Sequence, residues 1–213
     1  MPPIKPGKKV VPGQPLESFP LGFPTEPEDL AIDDDGNPLR IDKAYSWEAP
    51  IANHGLMHMA VTNAVAGDPY EIDTMIFFMA NMAWNSTMNT SKIRESLCAK
   101  NDDGEYKIPF LVVCDAFDSE TVGYADLVLP DTTYLERYDT ISILDRPISE
   151  PHAVCDSIRA PILKPDRDVR PWQTVLVELA SRLKFPAFTT DDGDRKFKDY
   201  KAVSYTHLRA HET

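Results

Sequence analysis

Nowhere does the chain carry an apolar run approaching the roughly 18 to 20 residues that a membrane-crossing helix needs. Met1 is followed by Pro2, Pro3 and Lys5 with no apolar core, so no secretory signal is expected here. Cysteine is scarce. Cys98, Cys114 and Cys155 are odd in number, far apart and in no C-x-x-C spacing. That argues against a disulfide framework, a zinc site or an iron–sulfur cluster built from these residues alone, and makes a reducing compartment the default. Basic residues are outnumbered, 22 Lys+Arg against 34 Asp+Glu, and the formal charge of −12 repels phosphate backbones. With no basic patch to offset it, nucleic acid is not an expected partner. Neither G-x-G-x-x-G nor G-x-x-x-x-G-K-[ST] occurs, so neither an ordinary NAD-binding turn nor a P-loop is expected. Internal repeats and low-complexity tracts are absent too.

Proline is plentiful and uneven: ten of the 19 lie in residues 1–50, among the acidic residues Glu26, Glu28, Asp29, Asp33, Asp34 and Asp35. Proline withholds a backbone donor and biases its predecessor away from the helix, so residues 1–50 read as an extended arm. Its apolar residues, Phe19, Leu21, Phe23, Ile41, Tyr45 and Trp47, suit an arm draped over a larger body. At the other end, residues 186–202 read as a linker. Val203–Thr213 shows no apolar periodicity and matches, residue for residue, the in-frame translation of a common transposase library adapter. The expectation is read-through, with the natural protein continuing past about Ala202, and these eleven residues stay outside the fold reading.

The middle is punctuated. Residues 53–66 read as a helix capped by Asn53 and ended by Gly67. Thr74–Ala80 is a continuous apolar run, the pattern of a strand covered on both faces, and Asn81 ends it. Ser91–Lys100 reads as a short helix capped by Thr90 or Ser91. The apolar run Ile108–Cys114 ends at Asp115, a short helical stretch spans Ser119–Ala125, and a third strand spans Asp126–Pro130. Strand, helix, strand, helix, strand with apolar strands predicts α/β architecture around a parallel sheet with right-handed crossovers. Residues 131–169 read as irregular, and Pro171–Leu183 as a helix with Val175, Leu176, Leu179 and Leu183 on one face.

Ligands of open parallel sheets bind beyond the carboxyl ends of the strands. Each strand here ends in polar residues: Asn81 with Asn85, Ser86 and Thr87; Asp115 with Asp118 and Ser119; Asp131 with Thr132 and Thr133. Asn and Asp suit a purine edge, while hydroxyls and helix-start amides suit phosphate oxygens. The same residues are also ordinary loop and cap chemistry, and spacing does not separate the two. His54 and His58 have the i, i+4 spacing of a metal pair but no third ligand, so packing or capping is the expected use. Six of the seven methionines fall in 57–88, the pattern of an adaptable core. Glu136, Asp139 and Asp145 form a candidate acid/base group with no cleft evident from sequence.

The blocks Tyr70–Asn81, Phe110–Thr121, Ala125–Arg137 and Pro171–Leu183 carry a pattern that resembles the catalytic subunits of the molybdopterin oxidoreductases, the dimethyl sulfoxide reductase superfamily. Ala125-Asp-Leu-Val-Leu-Pro130, with Glu136 six residues on, is its most specific element. Ile41–Pro50, Leu135–Asp139 and Ile143–Ile148 resemble the branch acting on sulfur oxyanions, which holds sulfite-oxidising enzymes and thiosulfate, polysulfide and tetrathionate reductases.

The resemblance implies a fragment of a doubly wound parallel-sheet domain, residues 51–185, that helps bind one guanine dinucleotide of a molybdenum bis(molybdopterin guanine dinucleotide) cofactor. It assigns cofactor binding to Asn81, Cys114, Asp115 and Arg137, with Asp168 a substitute for a later Asp. Many relatives have G-x-N-P where this chain has Met79-Ala80-Asn81-Met82, and P-G-E-A-[KR]-x-D-x-W where it has Pro165–Trp172. No catalytic residue and no metal ligand is assigned here; the 4Fe–4S cluster belongs to a missing N-terminal part. The implied partners are a small inorganic substrate, an iron–sulfur electron-transfer subunit, and a membrane anchor subunit. The implied location is the cytoplasm, peripheral to the inner membrane, or the periplasm after twin-arginine export. Two other readings stand beside this one: a metal-free scaffold domain of a respiratory complex, and an independent guanine-nucleotide-binding module.

Overall fold

The computed structural model describes residues 8–9, 31–32, 41–43, 56–141 and 157–210. The expected arm over 1–50 thus falls mostly outside the described residues, as do Asn53, His54, Asp145 and Cys155. Within 1–50, strands β1 (Lys8–Lys9) and β2 (Ala31–Ile32) pair in parallel. The chain divides into two compact units, Met1–Val113 with Asp118–Val128, and Cys114–Phe117 with Leu129–Thr213.

In the first unit a 3-10 turn, Met57–Met59, leads into helix α1 (Ala60–Ala66). Gly67 ends it at φ 68°, its amide donating to the Ala64 carbonyl at 3.1 Å, the left-handed stop for which glycine carries no Cβ penalty. Strand β3 (Thr74–Phe78), helix α2 (Thr90–Leu97), strand β4 (Phe110–Asp115), a 3-10 turn (Glu120–Tyr124) and strand β5 (Leu127–Pro130) follow. The sheet order is β3-β4-β5. Phe110 N donates to Asp73 O at 3.1 Å and Asp126 N to Leu111 O at 2.8 Å, so strand beginnings lie beside strand beginnings. Asp131 N donates to Asp115 O at 2.9 Å where both strands end. The strands are therefore parallel, as the alternation predicts.

Val61 and Ala64 of α1, Ile93 and Leu97 of α2, Phe77 of β3 and Leu111 and Val113 of β4 form one apolar cluster. Each large side chain so buried contributes about 1.5–3 kcal/mol. Two expectations are corrected. The helix after β3 is capped by Asn89, whose side-chain oxygen accepts from Lys92 N at 3.1 Å, because Asn89 stands three residues before the amide that needs a partner. Coverage on both faces holds for β4, where Leu111–Cys114 are all buried, but not for the outer strands. Ile76 of β3, on the face opposite Phe77, and Leu127 and Val128 of β5 are exposed.

In the second unit, strands β6 (Asp139–Ile141) and β7 (Ser157–Arg159) pair antiparallel, with Asp139 opposite Arg159, inside the stretch expected to be irregular. Helix α3 (Trp172–Arg182) begins one residue later than expected, with Pro171 as its N-cap. Its buried residues are Trp172, Val177 and Ala180, while Leu176, Leu179 and Leu183 of the expected apolar face are exposed. The expected linker contains a bridge between Thr189 and Arg195 and the start of helix α4 (Tyr200–Ala210), which continues across position 203. Among the described residues, no helix is long and apolar enough to cross a membrane.

Candidate functional site

The chain leaves β3 through Met79, which takes φ 48°, a left-handed conformation that costs a residue with a Cβ about 1–2 kcal/mol. Two residues later Asn81 organises the loop. Its carbonyl accepts from the amides of Trp84, Asn85 and Ser86 at 3.0–3.2 Å. Its side-chain Oδ1 accepts from the Thr121 hydroxyl at 2.8 Å, and its Nδ2 donates to Glu120 Oε2 at 2.5 Å. Thr121 is fully buried, and its hydroxyl also accepts from Ala83 N at 2.9 Å. The loop after β3 is thus tied to the turn after β4 by three hydrogen bonds within the first unit. The Asn81 hydrogen bond, aided by the charge of Arg94, lowers the Glu120 pKa and keeps that exposed carboxylate ionised.

The second unit holds another polar cluster, centred on Asp131. Arg137 Nη1 donates to Asp131 Oδ2 at 2.6 Å and to the Thr132 carbonyl at 3.2 Å, with both charged side chains at most 2% exposed. Asp131 Oδ1 accepts from Thr132 N at 2.7 Å and from Trp172 N, at the start of α3, at 3.0 Å. Arg137 Nε also donates to Asp139 Oδ2 at 3.4 Å, an oxygen that Arg159 Nη2 reaches at 3.0 Å. Next to it, Glu136 accepts from Thr133 N and Thr133 Oγ1, both at 2.9 Å, and takes both terminal nitrogens of Arg167 at 2.7 and 2.8 Å. This fork lowers the Glu136 carboxyl to about 2. Asp131 and Glu136 thereby hold the 167–172 segment at both ends, and Arg170 N adds a bond to the Pro130 carbonyl at 3.1 Å.

Cys114, Asp115 and Arg137 come together in this second unit, whereas Asn81 belongs to the first. Cys114 is fully buried, and burial, with the charge of Asp131 adding to it, pushes its thiol up to about 12. Asp115 is half-buried, and its Oδ1 accepts from Phe117 N at 3.1 Å. Asp168 is exposed. Of the candidate acid/base group, Glu136 and Asp139 are engaged with arginines and Asp145 lies outside the described residues. Among the described residues no group of three or more His, Cys, Asp or Glu converges as a metal site. A cavity of about 380 Å³, lined by Gly67, Glu71, Asp73, Tyr106 and Lys107 among others, sits by the residues that precede β3 and β4, away from the strand carboxyl ends. Sequence reasoning missed Glu120, Thr121 and the hub role of Asp131. The last was within reach, since Asp131 and Arg137 flank one short loop as an opposite-charge pair.

The family model of the molybdopterin oxidoreductases matches residues 65–182, more than half of the chain. The chain is 61% identical over 191 residues to a sulfite dehydrogenase subunit of Allochromatium vinosum, covering 90% of this chain and 20% of that protein. It is 27% identical over 132 residues to the molybdopterin-containing subunit of the thiosulfate reductase of Salmonella typhimurium, covering 62% of this chain and 16% of that one. It is 32% identical over 107 residues to the putative dimethyl sulfoxide reductase chain YnfE of Escherichia coli, covering 49% and 13%. The chain spans a fifth or less of the length of these curated relatives.

Proposed function

Because the chain belongs to the molybdopterin oxidoreductase family, we propose that it is part of the catalytic subunit of a molybdenum enzyme acting on an inorganic sulfur compound, with oxidation of sulfite to sulfate as the reaction. The identity of 61% across nine-tenths of the chain to a sulfite dehydrogenase subunit carries this reading. Sulfite gains one oxygen atom from water and releases two protons and two electrons in becoming sulfate. When bound, the molybdenum cofactor would supply the oxygen-atom and two-electron chemistry, and a 4Fe–4S cluster held outside this chain would supply the electron relay. Partner subunits, one carrying iron–sulfur centres, the other a membrane anchor, then receive the electrons. The assembly works in the cytoplasm, peripheral to the inner membrane.

The part played by this chain is to hold one guanine dinucleotide of a bis(molybdopterin guanine dinucleotide) cofactor, in a piece of a doubly wound sheet. The donor set fits such a group: within the first unit the amide of Asn81, the carboxylate of Glu120 and the hydroxyl of Thr121 gather in the loops after β3 and β4, and a base edge and phosphates need that mixture. Asn81, Asp115 and Asp168 are the residues nearest in character to direct contacts. Cys114 and Arg137 are buried, and their part in the binding is to support the exposed contacts. Orientation and electrostatics are the protein's contribution, and no residue of this chain is assigned a chemical step.

The full-length subunit, produced in cells that make the cofactor, tests the reading. Molybdenum, pterin and guanine nucleotide are expected in the purified protein, together with sulfite-dependent reduction of an artificial electron acceptor. A cofactor-loaded protein that leaves sulfite unchanged sinks the substrate assignment, and a well-folded protein free of molybdenum and pterin sinks the enzyme assignment.

A further inference from the structure

The loop built on Asn81 brings together two residues that the strand-end pattern did not single out. Glu120 is exposed, yet Asn81 Nδ2 holds its carboxylate in one orientation at 2.5 Å. Trp84, three residues beyond Asn81, is 53% exposed although the guanidinium of Arg94 lies 5.4 Å from its ring centroid. Arg94 is fixed in turn by donating Nε to the Ala83 carbonyl at 3.3 Å, and the Ala83 amide is held by Thr121. All six residues belong to the first unit.

An ionised carboxylate accepts at about four positions and donates at none, and Asn81 takes one of them. Its best partner is a planar group offering two adjacent N–H donors. An indole ring backed by a guanidinium is a stacking surface for a planar heterocycle. Among such heterocycles, the 2-amino-4-oxopyrimidine ring presents a ring N–H beside an exocyclic amine, whereas adenine and uracil place an acceptor at one of those positions. We propose that Glu120, beside Asn81, reads the 2-amino-4-oxopyrimidine edge of a bound heterocycle that stacks on Trp84, with Thr121 as a positioning residue. Guanine and pterin both carry this edge. The inference rests on the cofactor-binding reading above and names residues for it.

The test uses the full-length subunit carrying Glu120→Gln. The amide oxygen of glutamine still accepts from Asn81, so the loop is kept, but a donor replaces an acceptor at the reading edge. Pterin and guanine nucleotide released per mole of protein are measured from two hosts, one making the complete dinucleotide cofactor and one blocked in attaching the guanosine. A fall of about tenfold or more in the first host, with an unchanged melting temperature of the cofactor-free protein, is the expected result. If the fall is confined to the first host, the edge belongs to guanine; if it occurs in both, it belongs to pterin. Should Glu120→Gln fail to fold, Trp84→Ala is expected to lose cofactor and Trp84→Phe to keep it. Wild-type cofactor content in Glu120→Gln, or in Trp84→Ala where that variant decides, overturns the inference. A wild-type protein without pterin overturns the functional reading instead, so the two failures are distinguishable.

Discussion

Arg137 and Asp131 form a 2.6 Å salt bridge from which water is excluded on both sides. Removing one member of such a pair strands the other charge, which costs about 3–5 kcal/mol. Arg137→Ala is therefore expected to lower the yield and melting temperature of the full-length subunit sharply. Asp131→Leu with Arg137→Met is not expected to restore them fully. Asp131 Oδ1 also serves the Thr132 and Trp172 amides, and apolar replacement leaves both without an acceptor. Hydrogen exchange at the Trp172 amide reads that loss directly, and slow exchange in the double variant would refute it.

The Glu136–Arg167 fork makes the 167–172 segment sensitive to acid. The Glu136 pKa is depressed to about 2 in the folded protein, so its contribution to stability is fully present above the ordinary carboxylate pKa of about 4.3. That contribution fades as pH falls from there towards 2. Glu136→Gln is expected to flatten the acid limb of a stability-against-pH curve in this window while leaving the slope above pH 5 unchanged. An acid limb identical to wild type would show that the fork carries no such linkage.

Cys114 and Cys98 should part company towards thiol reagents. Cys98 is exposed, whereas the Cys114 thiol is fully buried and pushed up to about 12, so it stays protonated and unreactive at pH 8. Iodoacetamide on the native protein, followed by peptide mass mapping, is expected to modify Cys98 and spare Cys114 until denaturant is added. Native modification of Cys114 at a comparable rate contradicts its burial.

Much of the α/β frame was legible because apolar runs mark strands well: β3, β4 and β5 stand within a few residues of their expected places, and Gly67 stops α1. The antiparallel pair β6 and β7 was not, since three-residue strands are too short to show a period of two. The face of α3 was misread because its sequence holds two apolar stripes, and only tertiary packing chose Trp172, Val177 and Ala180 over Leu176, Leu179 and Leu183. Arg137 came from the family resemblance, which says nothing of the buried ion pair it makes with Asp131. The carboxylate that occupies it becomes evident only when the loop closes.

Position 79 tests a backbone effect. Met79 sits at φ 48°, a left-handed conformation that glycine adopts without a Cβ penalty. Met79→Gly relieves about 1–2 kcal/mol of left-handed strain and loses about 0.5–1 kcal/mol through the freer unfolded chain. A net effect between about 0 and 1.5 kcal/mol of gain follows, read as an unchanged or slightly raised melting temperature. Met79→Val is expected to destabilise, because a β-branched side chain tolerates that conformation poorly. A stabilised valine variant would show that the left-handed turn is not populated.

Thr121 is the last element on which the Asn81 loop depends, since one hydroxyl donates to Asn81 Oδ1 and accepts from Ala83 N. Thr121→Val keeps the volume and removes both bonds inside a fully buried site, at a cost of about 2 kcal/mol or more. Thr121→Ser keeps the hydroxyl and is expected to recover most of the loss. The Asn81–Asn89 segment of the valine variant should then become the first site of limited proteolysis, because its anchors to the turn after β4 are reduced to the Asn81–Glu120 bond. A valine variant cleaved no faster there than the serine variant would mean that the three amides gathered on the Asn81 carbonyl hold the loop unaided.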